Sequence, residues 1–572
     1  MLETVFMPFK ALSVVVSRVA GFHEEMVLEP FPFISTTKPL PKEGVVLEPP
    51  RNLPNNVVAR LAILPNEGKG LYYIEEPELT EEEGRAYQVL VNRLQYVTKL
   101  EPGLGPDAYT PEILEGLIVE KAREVSEEYG VAGMHELTKD KLVYYIKRDL
   151  LGYGPINPLM TDDELEDVLV AGYDKPFIVV DRKWADLDWL ETNLVLTHDQ
   201  QDQLARRLAL MGKSTLSIAF PKVQTMLPSH DRLAATYRYE VSPLGTSLSI
   251  RKFRKEPLTI PQLMAQSMLT PVMAAYLWEI VEERGVVFVI GLPGSGKTVL
   301  CNALSILLKP QFHPVTIEDF PELNLPQEQK QSLTARRSRT IRSEGDKHGE
   351  QAGDVSQVEL LRHSLRIRPD FLIVGEILTE EAPVMFQAIN TGLGGQTSFH
   401  AANVHAAVTR LIEKTIGVDP AMLQMIDAVV LVNRIRHPLT GETVRRIISI
   451  DEIIEVGKYN NVFSWSPAMD TFSRSDSKDV VNSSRAMQRI RTRRGWSDDQ
   501  LVDDLLDKAH FLDDALGKHI ERFADFSQAV KKFYAGKVRP LTYKAEVEAK
   551  AVKSVEPQSG NIEDVLLDRL SR

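Results

Sequence analysis

This sequence of 572 residues has little cysteine and no long apolar run, and its 67 lysine and arginine residues are outnumbered by 80 aspartate and glutamate residues. Its single cysteine, Cys301, excludes an intramolecular disulfide and a multi-cysteine metal site, and is typical of a reducing compartment. We expect Cys301 to be a small buried hydrophobe. The formal net charge of -13 does not indicate a dominant surface for nucleic-acid phosphates, although a local basic patch is compatible with it.

A membrane-spanning segment is also missing from the pattern. No window approaches the roughly 18 uncharged apolar residues that a spanning helix needs. Near the N-terminus, residues 11–20 contain a short valine run, and Lys10 and Arg18 bound it. This stretch predicts a packed helix, with a weak amphipathic membrane anchor as the alternative. We therefore expect a cytoplasmic protein whose membrane contact is indirect and made through partners.

Composition and periodicity divide the chain into six segments, and 43% hydrophobic residues are enough for several buried cores. Proline density predicts irregular backbone in the first segment, and apolar spacings of three and four predict helices in the second. The segments are a proline-rich arm (1–79), a helical module (80–155), an α+β domain (156–257), an α/β domain (258–456), a C-terminal helical module (457–540) and a flexible tail (541–572).

The α/β assignment depends on apolar runs of strand length that alternate with helices. Residues 286–290 and 371–374 are such runs, and each is uninterrupted by polar residues. Continuous apolar strands are buried on both faces, as in a parallel sheet that helices cover on both sides. The sequence therefore predicts that arrangement for residues 258–456.

The strongest motif is a glycine-rich loop that directly follows the run 286–290. Its glycines allow backbone N–H groups to approach phosphate oxygens at the positive end of the next helix. Lys297 would reach the β and γ phosphates, and the Thr298 hydroxyl would bind Mg²⁺. An ordinary glycine turn is the alternative, but the pattern favours ATP and Mg²⁺. The loop consists of Gly291, Leu292, Pro293, Gly294, Ser295, Gly296, Lys297 and Thr298.

Carboxylates follow two other predicted strands. Glu318 and Asp319 end the run 315–319, and Glu376 ends the run 368–376. The carboxyl ends of parallel strands form the edge where nucleotides bind. Taken alone, the first pair is typical of a helix cap or turn. Beside a phosphate loop, Glu376 is the candidate general base that orients water for attack on the γ phosphate.

A fourth element, residues 392–401, is a glycine turn that leads into a short strand with His400 at its end. Histidine titrates near neutral pH and can exchange protons or contact phosphate. The alternative is a satisfied polar residue beneath the turn. Sequence alone leaves both interpretations open.

Taken together, the four elements resemble the type II/IV secretion-system ATPases, which include pilus extension and retraction motors and the archaellum motor. There they are the Walker A loop, the aspartate box, the Walker B strand and the histidine box. The resemblance implies a RecA-like P-loop domain after an α+β N-terminal domain, with helical N- and C-terminal appendages. It also implies that Glu376 is the catalytic glutamate, that Glu318 and Asp319 belong to the metal and water environment, and that His400 senses the nucleotide phosphates.

The resemblance extends upstream and is strongest to the archaeal branch, through residues 148–156 and 249–253. It implies that Arg232 and Arg251 occupy the places of family arginines that reach the nucleotide of a neighbouring subunit. Surface arginines that pair with carboxylates are the alternative. Leu378 departs from the family, which usually has arginine at this place after the Walker B glutamate.

The resemblance further implies a homohexamer that acts on an integral-membrane platform protein at the inner face of the cell membrane. ATP hydrolysis between the two domains would move them as rigid bodies through residues 258–270, and would drive filament assembly or protein secretion. Archaellum rotation, a DNA-transfer ATPase and a non-hydrolysing nucleotide-gated scaffold stay open as alternatives. A nucleic-acid partner is not expected from the charge.

Overall fold

The structure is a computed structural model that describes residues 40–81, 83–85, 87, 116, 120, 136–254, 256–335, 355–438 and 440–537. The predicted packed helix at residues 11–20, most of the predicted helices between residues 81 and 129, and the predicted tail from residue 541 lie outside these ranges. Among the described residues, no helix combines the length and the apolar character needed to cross a bilayer.

In the described part of the first half of the chain, ten strands form one sheet, and the helices with described bounds pack with it. Its strands are β1 (Val45–Val46), β2 (Arg51–Leu53), β3 (Val57–Leu64), β4 (Lys69–Glu75), β5 (Leu165–Val170), β6 (Pro176–Asp181), β7 (Leu190–Val195), β8 (Lys222–Met226), β9 (Arg232–Thr236) and β10 (Ser247–Arg251). Its helices are α1 (Glu136–Ile146), α2 (Asn157–Thr161) and α3 (His198–Met211).

This first sheet has the order β1-β3-β4-β7-β6-β5-β10-β9-β8, with β2 paired to β3. All pairings are antiparallel except that of β4 with β7. Arg251, at the end of β10, lies opposite Arg232, at the start of β9. The sheet thus places two arginines side by side at the edge that faces the second half of the chain.

Strands β1 to β4 show that the prediction of an irregular arm for residues 1–79 was wrong over residues 45–75. In β3, Val57, Ala59 and Leu61 are buried, and they alternate with partly exposed side chains as in a half-buried strand. The prolines lie between the strands: Pro49 and Pro50 separate β1 from β2, and a turn at Pro54 separates β2 from β3. Proline density here marks turns between strands.

The second half of the chain forms a nine-stranded sheet covered by helices. Its strands are β11 (Val286–Gly291), β12 (Pro314–Glu318), β13 (Gln331–Thr334), β14 (Phe371–Glu376), β15 (Gly394–His400), β16 (Ala428–Arg436), β17 (Thr443–Glu455), β18 (Lys458–Ser466) and β19 (Thr471–Phe472). Its helices are α4 (Ile260–Ala265), α5 (Pro271–Glu282), α6 (Lys297–Ser305), α7 (Gln357–Ser364), α8 (Glu381–Asn390), α9 (Val404–Ile412), α10 (Ser477–Ser483), α11 (Arg485–Arg494), α12 (Asp498–Gly517) and α13 (Phe523–Lys537).

The second sheet has the order β13-β12-β14-β15-β11-β16-β17-β18-β19. Pairing is parallel from β13 to β16 and antiparallel from there to β19. Alternate residues of β11 belong to two separate cores: Val287 and Val289 pack with α5 and α6, whereas Phe288 and Ile290 pack with α8. Parallel strands covered on both faces confirm the predicted α/β class.

The C-terminal segment, a predicted helical module over residues 457–540, begins with a short hairpin, which its sequence allows after residue 456. Strands β18 and β19 form this hairpin, and β18 extends the second sheet along the antiparallel edge of β17. The helices that follow cover one face of the sheet, where Trp278 of α5 contacts Phe511 and donates from Nε1 to the Tyr534 hydroxyl at 2.7 Å. The segment at residues 258–270, through which we expect the two domains to move, holds the buried helix α4.

Candidate functional site

The four sequence elements meet at one edge of the second sheet. Gly291 ends β11 and lies opposite His400, which ends the neighbouring strand β15. Glu376 ends β14, on the other side of β15, and Glu318 ends β12, beside β14. The carboxyl ends of parallel strands come together in this way, so the topology alone joins residues that are about a hundred positions apart in sequence.

The loop at residues 291–298 has the backbone of a phosphate cradle. Gly294 and Gly296 have left-handed φ angles of 72° and 98°. At Gly291, an added Cβ would lie 2.1 Å from the carbonyl oxygen of Val432. Gly296 is also the N-cap of α6, and no side chain in the described part of the chain caps it. The first N–H groups of α6 are therefore available to an anion.

Lys297 begins a chain of polar contacts that ends at Glu376. Its ammonium donates to the carbonyls of Gly291 at 3.2 Å and Leu292 at 3.1 Å, and lies 3.1 Å from His400 Nδ1. His400 Nε2 in turn lies 2.7 Å from Glu376 Oε1, close enough for an ion pair but not aligned as a hydrogen bond. Because an ammonium can only donate, these contacts assign the His400 proton to Nε2. Burial lowers the pKa of Lys297, and the Glu376 carboxylate opposes that decrease.

The Glu318 side chain is buried and only half satisfied. Its Oε1 accepts from the N–H groups of Glu322 at 2.9 Å and Leu323 at 3.1 Å, whereas Oε2 has no partner among the described residues. Burial raises the pKa of Glu318 to about 7. Glycine at position 375 makes room for this side chain, because an added Cβ would lie 3.1 Å from Glu318 Cγ.

The predicted Mg²⁺ ligands differ in their surroundings. Thr298 lines the cavity described below, and the unpartnered Glu318 oxygen lies next to the strand that carries Glu376. Hydroxyl and carboxylate oxygens are the ligands that Mg²⁺ prefers, so these two residues fit the ion. Asp319 is exposed, and its place in a metal site stays a prediction.

Arg232 and Arg251 lie close to the same edge within a single chain. The Arg232 guanidinium stacks on the Phe320 ring at 4.5 Å, and Arg251 Nε lies 3.1 Å from Asp167 Oδ1. Burial raises the pKa of Glu322, and both arginines oppose that rise, so both act on this carboxylate. Arg251 lines the cavity beside the phosphate loop, whereas Arg232 does not. Their predicted reach to a neighbouring nucleotide stays a prediction.

A cavity of about 1030 Å³ separates the first sheet from the phosphate loop. Gly294, Gly296, Lys297 and Thr298 form part of one wall, and the end of β10 forms part of the opposite wall. The volume lies at the upper end of the range for small-molecule sites, which is about 300 to 1,000 Å³. A nucleotide bound to the loop would therefore lie between the two halves of the chain.

Sequence reasoning missed several residues of this cavity. Arg445, on β17, contacts the loop itself: its Nε lies 3.5 Å from the Gly294 carbonyl oxygen. Glu48 and Arg51, from the segment predicted as an irregular arm, line the far wall. Arg445 and Arg446 are consecutive in a strand, so their side chains point to opposite faces, and Arg446 pairs with Asp470 instead. That alternation was the available signal for Arg445.

Leu378, which replaces the usual family arginine, is 45% exposed beyond the end of β14. A different cation contacts this edge of the sheet. Arg410 of α9 donates to the backbone carbonyl of His400 at 2.9 Å, and its guanidinium stacks on the Phe399 ring at 5.0 Å. Arg410 therefore supplies a positive charge next to β15, although position 378 carries leucine.

Comparisons with known proteins agree with this geometry. A family model described as type II/IV secretion system protein matches residues 150–465. An uncharacterised protein of Methanocaldococcus jannaschii is 30% identical over 82% of this chain and 86% of its own length. A putative conjugal transfer protein of Mycobacterium tuberculosis is 29% identical over 56% of this chain and 90% of its own length.

Among solved structures, the ATPase DotB of Legionella pneumophila is similar over 68% of this chain and 92% of that one, with 15% identity and a TM-score of 0.39. The family match spans more than half of the chain and includes all four elements at the sheet edge. It confirms the resemblance that these elements predict. This chain belongs to the family of type II/IV secretion system proteins.

Proposed function

We propose that this chain is a Mg²⁺-dependent ATPase that works as a homohexameric motor. It would power assembly of a type IV pilus-like filament or type II/IV protein secretion across the cell envelope. The observation that supports this most directly is the contact chain from Lys297 through His400 to Glu376. It joins a phosphate-binding lysine to a carboxylate that can orient water, at the edge where parallel sheets bind nucleotides.

In the proposed reaction the phosphate loop holds the ATP triphosphate with its N–H groups and with Lys297. Lys297 exchanges its contacts with the Gly291 and Leu292 carbonyls for the β and γ phosphates. Glu376 orients the attacking water and accepts its proton, while His400 Nε2 holds the carboxylate in place. Bound Mg²⁺, held by Thr298 and Glu318, would neutralise charge on the phosphate oxygens.

The position of the cavity explains how hydrolysis could become movement. A nucleotide between the two halves of the chain favours a closed arrangement, and loss of the γ phosphate removes part of that attraction. The halves would then move as rigid bodies around the segment that holds α4. In a hexamer at the inner face of the cell membrane, this movement would act on an integral-membrane platform protein.

Phosphate release from Mg²⁺-ATP, measured over a range of protein concentrations, tests the proposal. We expect wild-type turnover per chain to rise with concentration as hexamers assemble. Lys297→Ala should abolish turnover, and Glu376→Gln should slow it by about 10²- to 10⁴-fold while binding ATP. Glu413→Gln, at an exposed carboxylate beyond the end of α9, is the matched control. Normal turnover in Glu376→Gln would contradict the assignment of the base.

A DNA-transfer ATPase is the second candidate, because one relative carries the description of a putative conjugal transfer protein. Such an enzyme should hydrolyse ATP faster with single-stranded DNA, and the stimulation should fall steeply with added salt. The chain's net charge of -13 favours the protein motor instead. Turnover that does not respond to DNA would exclude the second candidate.

A further inference from the structure

The cavity has a charge opposite to that of the whole chain. The chain carries a net charge of -13, but eight arginine and lysine residues and only four glutamates line the cavity. Several of these cations are neutralised by carboxylates. Arg51 pairs with Asp162 and Asp181, and Lys183 pairs with Glu48. The cations without a carboxylate at hydrogen-bonding distance therefore decide what the cavity attracts.

Arg182, which follows β6, is one of them. Its guanidinium donates to three backbone carbonyls, those of Asp163, Leu165 and Lys252, each at 2.6 Å. Within the described ranges it forms no ion pair. These carbonyls fix the position of the side chain but cannot cancel its charge. Burial lowers the pKa of Arg182, and the nearby Arg254 lowers it further. Three carboxylates oppose this decrease of the pKa, those of Glu166, Glu164 and Asp163.

Arg445 of β17 is the second of these cations, and its side chain lies against the phosphate loop. An added Cβ on Gly296 would lie 3.2 Å from its Cδ. Its nearest carboxylate oxygen is Glu166 Oε2, at 4.0 Å from its NH2. Guanidinium has five donors, and the distances above satisfy few of them. Burial lowers the pKa of Arg445, the Glu166 carboxylate opposes that decrease, and the positive charges of Arg434 and Arg254 add to it.

Arg254, three residues beyond the end of β10, completes the set. Its side chain is exposed, and it has neither an ion pair nor a hydrogen bond to the side chains of the described residues. It acts electrostatically on both Arg182 and Arg445, so the three guanidiniums share one part of the cavity. Like charges held together repel one another unless an anion joins them.

We propose that Arg182, Arg254 and Arg445 form a clamp for the triphosphate of the bound nucleotide, separate from Arg232 and Arg251. This inference rests on the proposed function and adds to it cations that bind the phosphates from beside the loop, through Arg445, and from the first half of the chain, through Arg182 and Arg254. Arginine suits the task because its planar fork can donate two hydrogen bonds to one phosphate group.

The clamp also explains how binding would bring the two halves of the chain together. Arg182 and Arg254 belong to the first half, whereas Arg445 belongs to the second. Two contacts beside the clamp already join the halves: Arg434 NH2 donates to the Ala185 carbonyl at 2.7 Å, and the Thr443 N–H donates to Asp186 Oδ2 at 2.9 Å. A triphosphate between the arginines replaces repulsion across this boundary with attraction.

Binding of a non-hydrolysable ATP analogue tests the clamp in Arg254→Gln, Arg445→Gln and the double variant. Each single change should weaken binding about tenfold, and the double change about a hundredfold, as expected for lost charged hydrogen bonds. Arg366→Gln is the matched control, since Arg366 is exposed and precedes β14, at the opposite edge of the sheet. Binding by the double variant within about twofold of wild type overturns the clamp.

Inorganic tripolyphosphate, used as a competitor, separates phosphate recognition from recognition of the base. The variants should lose affinity for tripolyphosphate by the same factors as for the analogue, and a loss confined to the analogue overturns the proposal. Without ligand, Arg445→Gln should unfold at the same temperature as wild type or at a higher one, because one repelling charge is removed. A lower unfolding temperature would assign Arg445 a structural role instead.

The binding data also separate the two proposals from each other. A wild-type chain that binds neither the analogue nor tripolyphosphate contradicts the proposed function and the clamp together. A wild-type chain that binds both, beside variants that bind equally well, contradicts only the clamp.

Discussion

Two charge systems in the same domain, one partly exposed at the sheet edge and one buried behind the sheet, differ in how completely their charges are paired. At the sheet edge, Lys297, His400 and Glu376 form an open chain beside a cavity. Behind the sheet, α5 and α12 meet around Lys508, whose side chain is fully buried. Helix α5 leads directly to β11, so both systems adjoin the strand that carries the phosphate loop.

The system behind the sheet is closed. The Lys508 ammonium lies 2.7 Å from Glu279 Oε1 and 3.1 Å from Asp504 Oδ2, and it also contacts Glu282. These three carboxylates lie close enough together to hold a metal ion, but the lysine already occupies the space between them. Arg494 adds a second cation, 3.1 Å from Glu279 Oε2. Every charge in this network has an opposite charge within 4 Å, although neither carboxylate oxygen of Glu279 forms a hydrogen bond with a described residue.

At the sheet edge, some polar groups have no hydrogen-bond partner among the described residues. Glu318 Oε2 has no partner in the described part of the chain, and Lys297 contacts carbonyls and an imidazole where a phosphate would satisfy it better. Burial and charge alone therefore do not distinguish a functional site from a structural one. Incomplete pairing next to a cavity does, because it leaves interactions for a ligand to make.

Exchanging each lysine for methionine gives the largest expected contrast. Lys508→Met leaves buried carboxylates without their cation and should lower the free energy of unfolding by about 3 to 5 kcal/mol, with turnover per folded chain unchanged. Lys297→Met should abolish turnover and change the free energy of unfolding by less than about 1 kcal/mol. Denaturant unfolding and phosphate release measure the two effects. Loss of both properties in both variants would remove the distinction between the two systems.

A smaller effect is expected at His400, the middle residue of the contacts that run from Lys297 to Glu376. His400→Gln keeps an amide near the Nε2 position that contacts Glu376, whereas His400→Asn keeps one near the Nδ1 position that contacts Lys297. If His400 acts by positioning Glu376, the Asn variant should lose about 10- to 100-fold in kcat and the Gln variant clearly less, with nucleotide affinity similar in both. Equal kcat values in wild type and the Asn variant would contradict this role.

The smallest effect concerns pH. The pKa of Glu318 is raised to about 7 in the folded chain, so the folded state keeps its proton after the unfolded chain has lost it. The resulting stability is complete below the unfolded pKa of about 4.5 and is lost as the pH rises to about 7. Glu318→Gln, which mimics the protonated form, should match wild type at low pH and exceed it by about 1 to 3 kcal/mol above pH 7.

Denaturant unfolding of both proteins across that range, without nucleotide, measures the difference. A difference between variant and wild type that stays constant with pH would show that the Glu318 pKa is not raised in the folded chain. Asp504, behind the sheet, shows the opposite pKa shift. Burial alone would raise its pKa, but its polar contact with the Glu279 carboxyl and the positive charges of Lys508 and Lys537 lower it.

The open system could be predicted from sequence because its parts are local patterns. Glycines and a lysine follow one apolar strand, and Glu376 ends another. Strand polarity then brings the ends together whatever the loops between them do. Glu318 and His400 could be predicted as residues of this site for the same reason, because each ends a strand. Their protonation and contacts were not predictable, because these depend on packing between strands that are distant in sequence.

The clamp and the N-terminal strands were not predicted, for two different physical reasons. Arg182, Arg254 and Arg445 come from three elements spread over more than 250 positions, and each alone is an ordinary arginine at a strand end or within a strand. Only tertiary packing brings them together. Strands β1 to β4 carried apolar alternation, but the prolines between them favoured an irregular interpretation.

Single-turnover hydrolysis tests the central claim most directly. Mg²⁺-ATP is mixed with an excess of wild-type or Glu376→Gln protein, and the bound nucleotide is identified after acid quenching. The account predicts that wild type converts bound ATP to ADP and phosphate, whereas Glu376→Gln binds ATP with similar affinity and keeps it intact. Conversion at the same rate in both proteins would contradict the claim that this sheet edge hydrolyses ATP with Glu376 as the base.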